Sequence, residues 1–382
     1  MKILFLTTHF NTGGITNYIM TLSSQMVRDG HHVIVVSSGG NCVEGLEGPG
    51  TRHVEMSIRT KSVFSPKLIR AAFRIKQLIR DENIEIIHAN TRVTQWLACL
   101  VSSMTGVPYV STCHGFFRPR FFRKIFPCWG KKVIAISDQV GEHLTKDFGV
   151  DSGRVAVIRN GIDLDRFSPV TKDARRALQM KAGFDGVKII GIVARLADVK
   201  GHHILIDAVR IMRGSIPRIR LLIVGEGKEE TRLRRQVEKL GLSDIVLFQP
   251  IVNRTSEILQ LLDCFVSPSL KEGLGLSVME AQASGLPVVA SRTGGIPSLI
   301  EDGITGVLVE PGNVDMLVDK MITVLNDDEF CDALARNARQ KAEREYGAEM
   351  MAEKTMEVYQ SLGSRNRELK NSKREMRNSK EI

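Results

Sequence analysis

The sequence predicts an α/β protein made of two successive parallel-sheet domains, and three observations lead there. Short β-branched runs alternate with helical stretches along most of the chain, the pattern of repeated β/α units. The alternation falls into two series separated by the turn-rich Asn160-Gly161-Ile162-Asp163 and Ser168-Pro169. At 382 residues the chain exceeds one ordinary core and suits two domains of somewhat under about 200 residues each.

In the first series strands are expected at Lys2–Thr7, His32–Ser37, Glu85–His88, Pro108–Thr112, Lys132–Ile136 and Val155–Ile158. In the second they are expected at Lys188–Ala194, Arg218–Val224, Ile245–Phe248, Cys264–Val266 and Val288–Ala290. The expected domains are 1–165 and 166–345, followed by a helix reaching Leu362 that packs back across the lobes and a basic, disordered tail over 363–382. No repeat of 20 to 50 residues is present, which excludes solenoids.

An apolar share of 43% with 25% charged residues allows sizeable buried cores and fits neither a disordered nor a membrane-spanning chain. Cys42, Cys99, Cys113, Cys128, Cys264 and Cys331 are scattered, with no Cys-x-x-Cys pair, so structural zinc and disulfide staples are not expected and a reducing cytoplasm is. The apolar start, Ile3 to Leu6, is too short for a signal peptide or anchor and reads as a strand.

The net charge of +10 is unevenly placed. Arg59 to Arg80 carries seven Lys or Arg and no acid, and Phe116 to Lys132 carries six and no acid, interleaved with Phe116, Phe117, Phe121, Phe122, Phe126 and Trp129. Such a mixture suits an anionic bilayer, where each basic residue near the surface contributes on the order of 1 kcal/mol. The expected membrane contacts are Arg118, Arg120, Phe121, Phe122, Arg123 and Lys124; an ordinary solvated face with aromatic core residues is the competing expectation.

The segment richest in chemistry runs from Ser267 to Ala281 and reads strand, loop, helix. Glu272 falls in the loop, Glu280 about one turn into the helix, and Gly273 and Gly275 let backbone N–H groups approach a ligand. Loops at the carboxyl ends of parallel strands are where such sheets bind ligands. Taken alone, the two acids also fit a solvated loop and a helix's first turn. Ahead of them, Arg195-Leu-Ala-Asp-Val-Lys200-Gly201 places two cations and a glycine at a strand-to-helix turn. A pyrophosphate is met by such a set: a guanidinium fork, a compact ammonium and helix N–H donors.

The Glu272/Glu280 spacing resembles the Glu-x7-Glu signature of family 4 glycosyltransferases, which usually reads Glu-Gly-Phe-Gly; here Leu274 replaces the Phe. Arg195-Leu…Lys200-Gly201 resembles the same family's cation element, Asn11-Thr-Gly13-Gly14 its N-terminal glycine loop, and Cys113-His114-Gly115 its His-Gly element. Asn160-Gly161-Ile162-Asp163 is similar to its interdomain turn, and Val224-Gly225-Glu226-Gly227 to its glycine turn. The glycine loop lacks the three-glycine dinucleotide fingerprint, which argues against NAD.

The resemblance spans roughly residues 1–315 and implies a GT-B fold: two Rossmann-like β/α/β domains facing across a deep cleft, the first binding acceptor and the second the nucleotide-sugar donor. It implies that Glu272 contacts donor sugar hydroxyls, Glu280 the ribose, and Arg195 and Lys200 the diphosphate with backbone at Gly275 and Leu276. It places His114 beside the transferred sugar and Gly13 and Gly14 on the cleft. The expected activity is retaining transfer from a nucleoside diphosphate sugar, UDP-sugar favoured and GDP-sugar possible, with no cofactor or obligatory metal. The expected acceptor is lipid-linked or a lipopolysaccharide or polysaccharide precursor at the inner membrane face, as in bacterial cell-surface sugar transferases. Rival expectations are a nucleotide-sugar epimerase, a sugar phosphorylase, or a basic nucleic-acid-binding module, the last lacking a recognition motif.

Overall fold

The computed structural model describes residues 1–60, 62, 65–118, 123, 125–250 and 255–362. Two compact units emerge: Met1–Gly161 together with the chain from Ala348 onward, and Ile162–Gly347.

The first unit holds a seven-stranded, wholly parallel sheet: β1 (Lys2–Leu6), β2 (His32–Ser37), β3 (Thr51–Glu55), β4 (Ile86–Ala89), β5 (Tyr109–Cys113), β6 (Lys132–Ala135) and β7 (Val155–Val157), ordered β3-β2-β1-β4-β5-β6-β7. The second holds six parallel strands, β8 (Lys188–Val193), β9 (Ile219–Val224), β10 (Val246–Gln249), β11 (Cys264–Ser267), β12 (Val288–Ser291) and β13 (Val307–Val309), ordered β10-β9-β8-β11-β12-β13. Parallel strands need helical crossovers, which cover both faces and make the central strands continuous apolar runs. Ile3-Leu-Phe-Leu6 and Cys264-Phe-Val-Ser267 are buried throughout for that reason.

Every strand expected from the sequence is present within a residue or two at each end. Two were not foreseen. Thr51–Glu55 is a polar edge strand, Thr-Arg-His-Val-Glu, without apolar alternation, and Val307–Val309 has only three residues. The first is recruited by the backbone of β2 and not by its own side-chain pattern; the second pairs with β12 and is apolar and buried, but too short for its pattern to be read alone.

In each sheet the chain winds outward from a central strand on one side and then restarts on the other. The direction reverses between β1 and β4, and again between β8 and β11. Such a reversal leaves a crevice outside the carboxyl ends of the two strands, because the connecting segments there diverge to opposite faces.

The chain leaves the first unit at Gly161 and returns at Ala348. The continuous helix expected from Glu343 to Leu362 is broken: one helix ends at Glu345, and another spans 348–362. The break is held by the Ile162 N–H donating to the Tyr346 carbonyl at 2.8 Å and the buried Tyr346 hydroxyl donating to the Leu299 carbonyl at 3.1 Å. Met351, Ala352, Met356, Tyr359 and Leu362, spaced along one helical face, complete the same core as Ile3, Phe5, Tyr18 and Leu22. The expected tail, 363–382, lies outside the described residues.

The first unit's core therefore depends on residues far along the chain. Met351→Ala should cost roughly 2–5 kcal/mol, the range for truncating a buried methionine, and lower the urea midpoint of the first unit. Tryptophan fluorescence reads that unit selectively, since both tryptophans, Trp96 and Trp129, belong to it.

Candidate active site

The residues singled out in the second unit gather at the carboxyl ends of β8 and β11, the two strands flanking the reversal. After β8 the chain passes Arg195 and a short turn, Asp198–Lys200, before Gly201 opens the helix His202–Met212. After β11, a loop carries Glu272 to Gly275, which opens the helix Leu276–Ala283.

These two loops are locked together by backbone proximity that a side chain would prevent. A Cβ on Gly201, whose φ is +70°, would lie 2.0 Å from the Pro268 carbonyl oxygen; from a third loop, after β12, one on Gly294 would lie 1.7 Å from that of Glu272. Glycine is required at both positions. Lys200 Nζ then donates to Glu272 Oε2 at 2.5 Å, with side-chain exposures of 21% and 15%. Ser269 Oγ donates to the same oxygen at 3.4 Å, and the Gly273 N–H reaches Oε1 at 3.1 Å. Glu272 is thus no free loop acid but the centre of a charge-assisted cluster.

Arg195 stands exposed one turn away and makes no hydrogen bond or ion pair to a described residue. One cation is committed to a carboxylate and the other is available to an incoming anion. Glu280 is set apart from both. It sits inside the helix Leu276–Ala283, 7% exposed, and burial pushes its carboxyl up to about 7 against the smaller opposing pull of Arg166.

The helix starts follow a pattern that sequence reasoning missed. Those beginning at Gly14, His202 and Leu276 have Gly13, Gly201 and Gly275 as N-caps, with no side chain bonded to the first N–H groups. The helices beginning at Arg92, Asp138, Lys172, Val314 and Asp328 are capped by Thr91, Ser137, Thr171, Asn313 and Asp327; those beginning at Pro66 and Glu230 are also uncapped. These three starts follow β1, β8 or β11, strands at the two reversals; a fourth glycine-capped start, Gly295 before the four-residue helix Ile296–Leu299, follows β12. Leaving those N–H groups unspent keeps them for an anion.

In the first unit, Gly13 and Gly14 open the helix Gly14–Arg28 just past β1, and open space surrounds Gly14 where a side chain would sit. His114 emerges from the end of β5. Its Nε2 lies 3.1 Å from Asn90 Oδ1, and its ring meets that of Tyr18, one turn after Gly14, edge to face at 4.8 Å between centroids. Burial pulls the imidazole down to about 3, so it is neutral at physiological pH. Asn90 and Tyr18 were not foreseen; their one sequence signal is that Asn90 directly follows a strand's end, as His114 does.

The membrane candidates are divided. Arg118 is exposed, while Arg120, Phe121, Phe122 and Lys124 lie outside the described residues. Arg123 is turned inward: its guanidinium stacks over the Phe117 ring at 4.1 Å and near Trp129 and Phe148, because a weakly hydrated planar cation packs on aromatic faces. It is half-buried against these rings. Trp129 likewise is core, but Phe116, Ile125 and Phe126 are exposed.

The buried carboxyl of Glu280 makes a stability prediction. Its folded-state pKa, about 7, lies above the ordinary 4.5, so the unfolded chain loses this proton first and stability falls as pH rises through that window. Glu280→Gln should abolish the slope, recovering on the order of 3 kcal/mol relative to the parent between pH 4.5 and pH 8. Urea unfolding of the second unit followed by circular dichroism measures it; parallel pH profiles for the two proteins would refute the assignment.

Comparison with known proteins identifies the family and the fold. Residues 12–166 match the model for Glycosyltransferase Family 4, and residues 175–341 that for Glycosyl transferases group 1. The chain is 36% identical to a D-inositol 3-phosphate glycosyltransferase of Corynebacterium urealyticum, over 92% of this chain and 91% of the relative. It is 27% identical to the Escherichia coli UDP-Gal:alpha-D-GlcNAc-diphosphoundecaprenol alpha-1,3-galactosyltransferase, over 82% and 86%. Among solved structures, Anabaena HepE in complex with UDP and glucose has a TM-score of 0.84 at 23% identity, covering 94% of this chain and 100% of that one. A glycosyltransferase from Rickettsia africae gives 0.83 at 24%, over 94% and 98%. The structural likeness establishes the shared GT-B fold. The family matches and the identity sustained along nearly the whole sequence establish that this chain is a glycosyltransferase of family 4.

Proposed function

We propose that the enzyme moves a hexosyl group from a nucleoside diphosphate sugar, with UDP the favoured nucleotide, to a lipid-linked or polysaccharide-precursor acceptor at an anionic membrane surface on the cytoplasmic side. The observation that carries the donor assignment is the set at the carboxyl ends of β8 and β11: the Lys200–Glu272 pair, Arg195, unpaired among the described residues, and two glycine-capped helix starts. HepE is described with UDP and glucose, and the Escherichia coli relative is named for a UDP-galactose reaction, which favours UDP here.

In the proposed reaction the bond from the sugar's anomeric carbon to the diphosphate oxygen breaks while the acceptor oxygen bonds to that carbon on the same face, retaining configuration. The acceptor's proton passes to the departing diphosphate. Negative charge grows on the leaving group, where Arg195, Lys200 and the N–H groups at Gly275 and Leu276 stabilise it without an obligatory metal. Glu272 holds sugar hydroxyls, Glu280 accepts ribose hydroxyls in its dry position, and neutral His114 with the open helix start at Gly14 meets the sugar and acceptor.

The membrane reading rests on the helix Pro66–Glu82. Its outward face carries Ile69 and Phe73, 48% and 61% exposed, among exposed Lys67, Arg70, Arg74 and Arg80, with no acid before Asp81. Apolar side chains one turn apart, ringed by cations, match an interfacial helix. Among the described residues, no helix is long and apolar enough to cross a membrane.

Two measurements test this. In a thermal-shift screen, UDP and its sugar conjugates at a hundred times Kd should stabilise by about 2.7 kcal/mol, with and without EDTA, and the shift should vanish in Arg195→Ala. Lys200→Ala and Glu272→Ala should each lower turnover on the order of a hundredfold; no response to any nucleotide sugar, or near-normal turnover in folded variants, would defeat the site assignment. Acceptor-dependent UDP release separates transfer from epimerisation.

For the surface, the protein should co-sediment with vesicles containing phosphatidylglycerol at low salt, and Ile69→Ser/Phe73→Ser and Arg70→Ser/Arg74→Ser should each weaken it. Absence of sedimentation, with efficient transfer to a soluble inositol phosphate, would point instead to the acceptor class named for the Corynebacterium relative.

A further inference from the structure

Beneath His114 lies a group of buried polar side chains that sugar transfer, as described so far, leaves unexplained. β4 and β5 are parallel neighbours, and residues two apart on a strand share a face. His88 and Asn90 therefore stack on one face, as do Thr112 and His114, giving two polar rungs across the pair of strands. In the lower rung His88 Nε2 lies 2.6 Å from Thr112 Oγ1; in the upper, Asn90 Oδ1 lies 3.1 Å from His114 Nε2.

The lower rung is fixed from both sides. His88 Nδ1 lies 2.6 Å from the Tyr359 hydroxyl on the helix 348–362, Thr112 Oγ1 lies 3.2 Å from the Tyr18 hydroxyl, and Phe5 stacks on the His88 ring. Tyr18 spans the rungs, its hydroxyl on Thr112 and its ring against His114. His88, Asn90, Thr112, Tyr18 and Tyr359 are all essentially buried. A network of this kind is justified only when every member is satisfied, and it then holds its members in one arrangement.

The arrangement decides where the proton on His114 resides. Asn90 Nδ2 donates to the His88 carbonyl at 3.3 Å. The reversed amide would set its oxygen against that carbonyl oxygen, so Oδ1 must be the atom facing His114. Oδ1 accepts only, so Nε2 must carry the hydrogen, and Nδ1, which has no hydrogen bond to a described residue, keeps its lone pair.

We propose that Asn90 is a positioning residue that locks His114 in the Nε2–H tautomer, so that Nδ1 serves as a hydrogen-bond acceptor for a hydroxyl of the sugar undergoing transfer. The rung of His88 and Thr112, clamped by Tyr18 and Tyr359, holds the His88 carbonyl that fixes the Asn90 amide. The assignment of the sugar to His114 rests on the reading given above; the tautomer does not. The titratable groups facing His114 are Tyr18 and His88, both kept neutral by burial, and no carboxylate among the described residues acts on it.

The test begins on the unaltered enzyme. Long-range proton–nitrogen NMR with labelled histidine, assigned through His114→Gln, should show His114 with Nε2 protonated and Nδ1 bare. The opposite tautomer would overturn the proposal whatever the kinetics. Asn90→Ala should give a mixture of tautomers and lower kcat roughly tenfold to a hundredfold, with the donor KM within about twofold.

Asn90→Asp supplies a readout that a merely structural role would not move. A carboxylate facing the ring raises the imidazole pKa, so the acceptor at Nδ1 is lost as pH falls and Asn90→Asp should lose activity below neutrality beyond any decline the parent shows there. A superimposable pH profile for Asn90→Asp, or unchanged tautomer and kcat in Asn90→Ala while His114→Ala is impaired, would refute the positioning role. Unimpaired His114→Ala with the Nε2–H form observed would instead remove His114 from sugar contact and leave the tautomer lock standing.

Discussion

A parallel sheet covered on both faces has nowhere to show a polar group except at its ends, and this constraint organises the molecule. Both sheets bury the interiors of their central strands. Both reverse winding beside a central strand, at β1/β4 and at β8/β11. The crevice produced by each reversal is where backbone N–H groups, cations and carboxylates can collect without costing the core its packing. Arg195, Lys200 and Glu272 stand at one such place, Gly14 at the other, with His114 one strand further along.

Within those crevices, the charges differ in how far they are committed before any ligand arrives. Lys200 and Glu272 neutralise each other at 2.5 Å, which keeps two partly buried ions from standing alone. Arg195 remains in solvent with its fork unspent, and Glu280, in a dry site, holds its proton up to about pH 7. His114 is kept neutral by the same physical cause acting in the opposite direction, since burial disfavours whichever form is charged. In the proposed reaction, a growing negative charge on the leaving group meets one cation at once, and a second released by exchange of its carboxylate onto sugar hydroxyls.

The helix 348–362 shows how distant sequence finishes a local structure. Its apolar face closes the first unit's core, and Tyr359 reaches His88 inside the sheet. A buried tyrosine–histidine–threonine array is costly compared with an apolar core of the same volume, which is why its position directly below Asn90 and His114 carries functional weight.

The sequence by itself determined the α/β class and the two series of strands, because hydrophobic periodicity and short-range turn chemistry act between near neighbours; it was the resemblance to a family that singled out Arg195, Lys200, Glu272 and Glu280 as site candidates. It also placed His114 at a strand's end. Tertiary structure alone decided the rest. β3 exists because a neighbouring backbone recruits it, Arg123 turns inward because three aromatic rings converge on it, and Lys200 meets Glu272 because Gly201 lets its loop touch the one after β11. The two rungs beneath His114 join residues 18, 88, 112 and 359, distances over which no local pattern operates. Which polar atoms face one another across a packed core is settled by the packing of whole elements, and that is a property of the fold rather than of any stretch of chain.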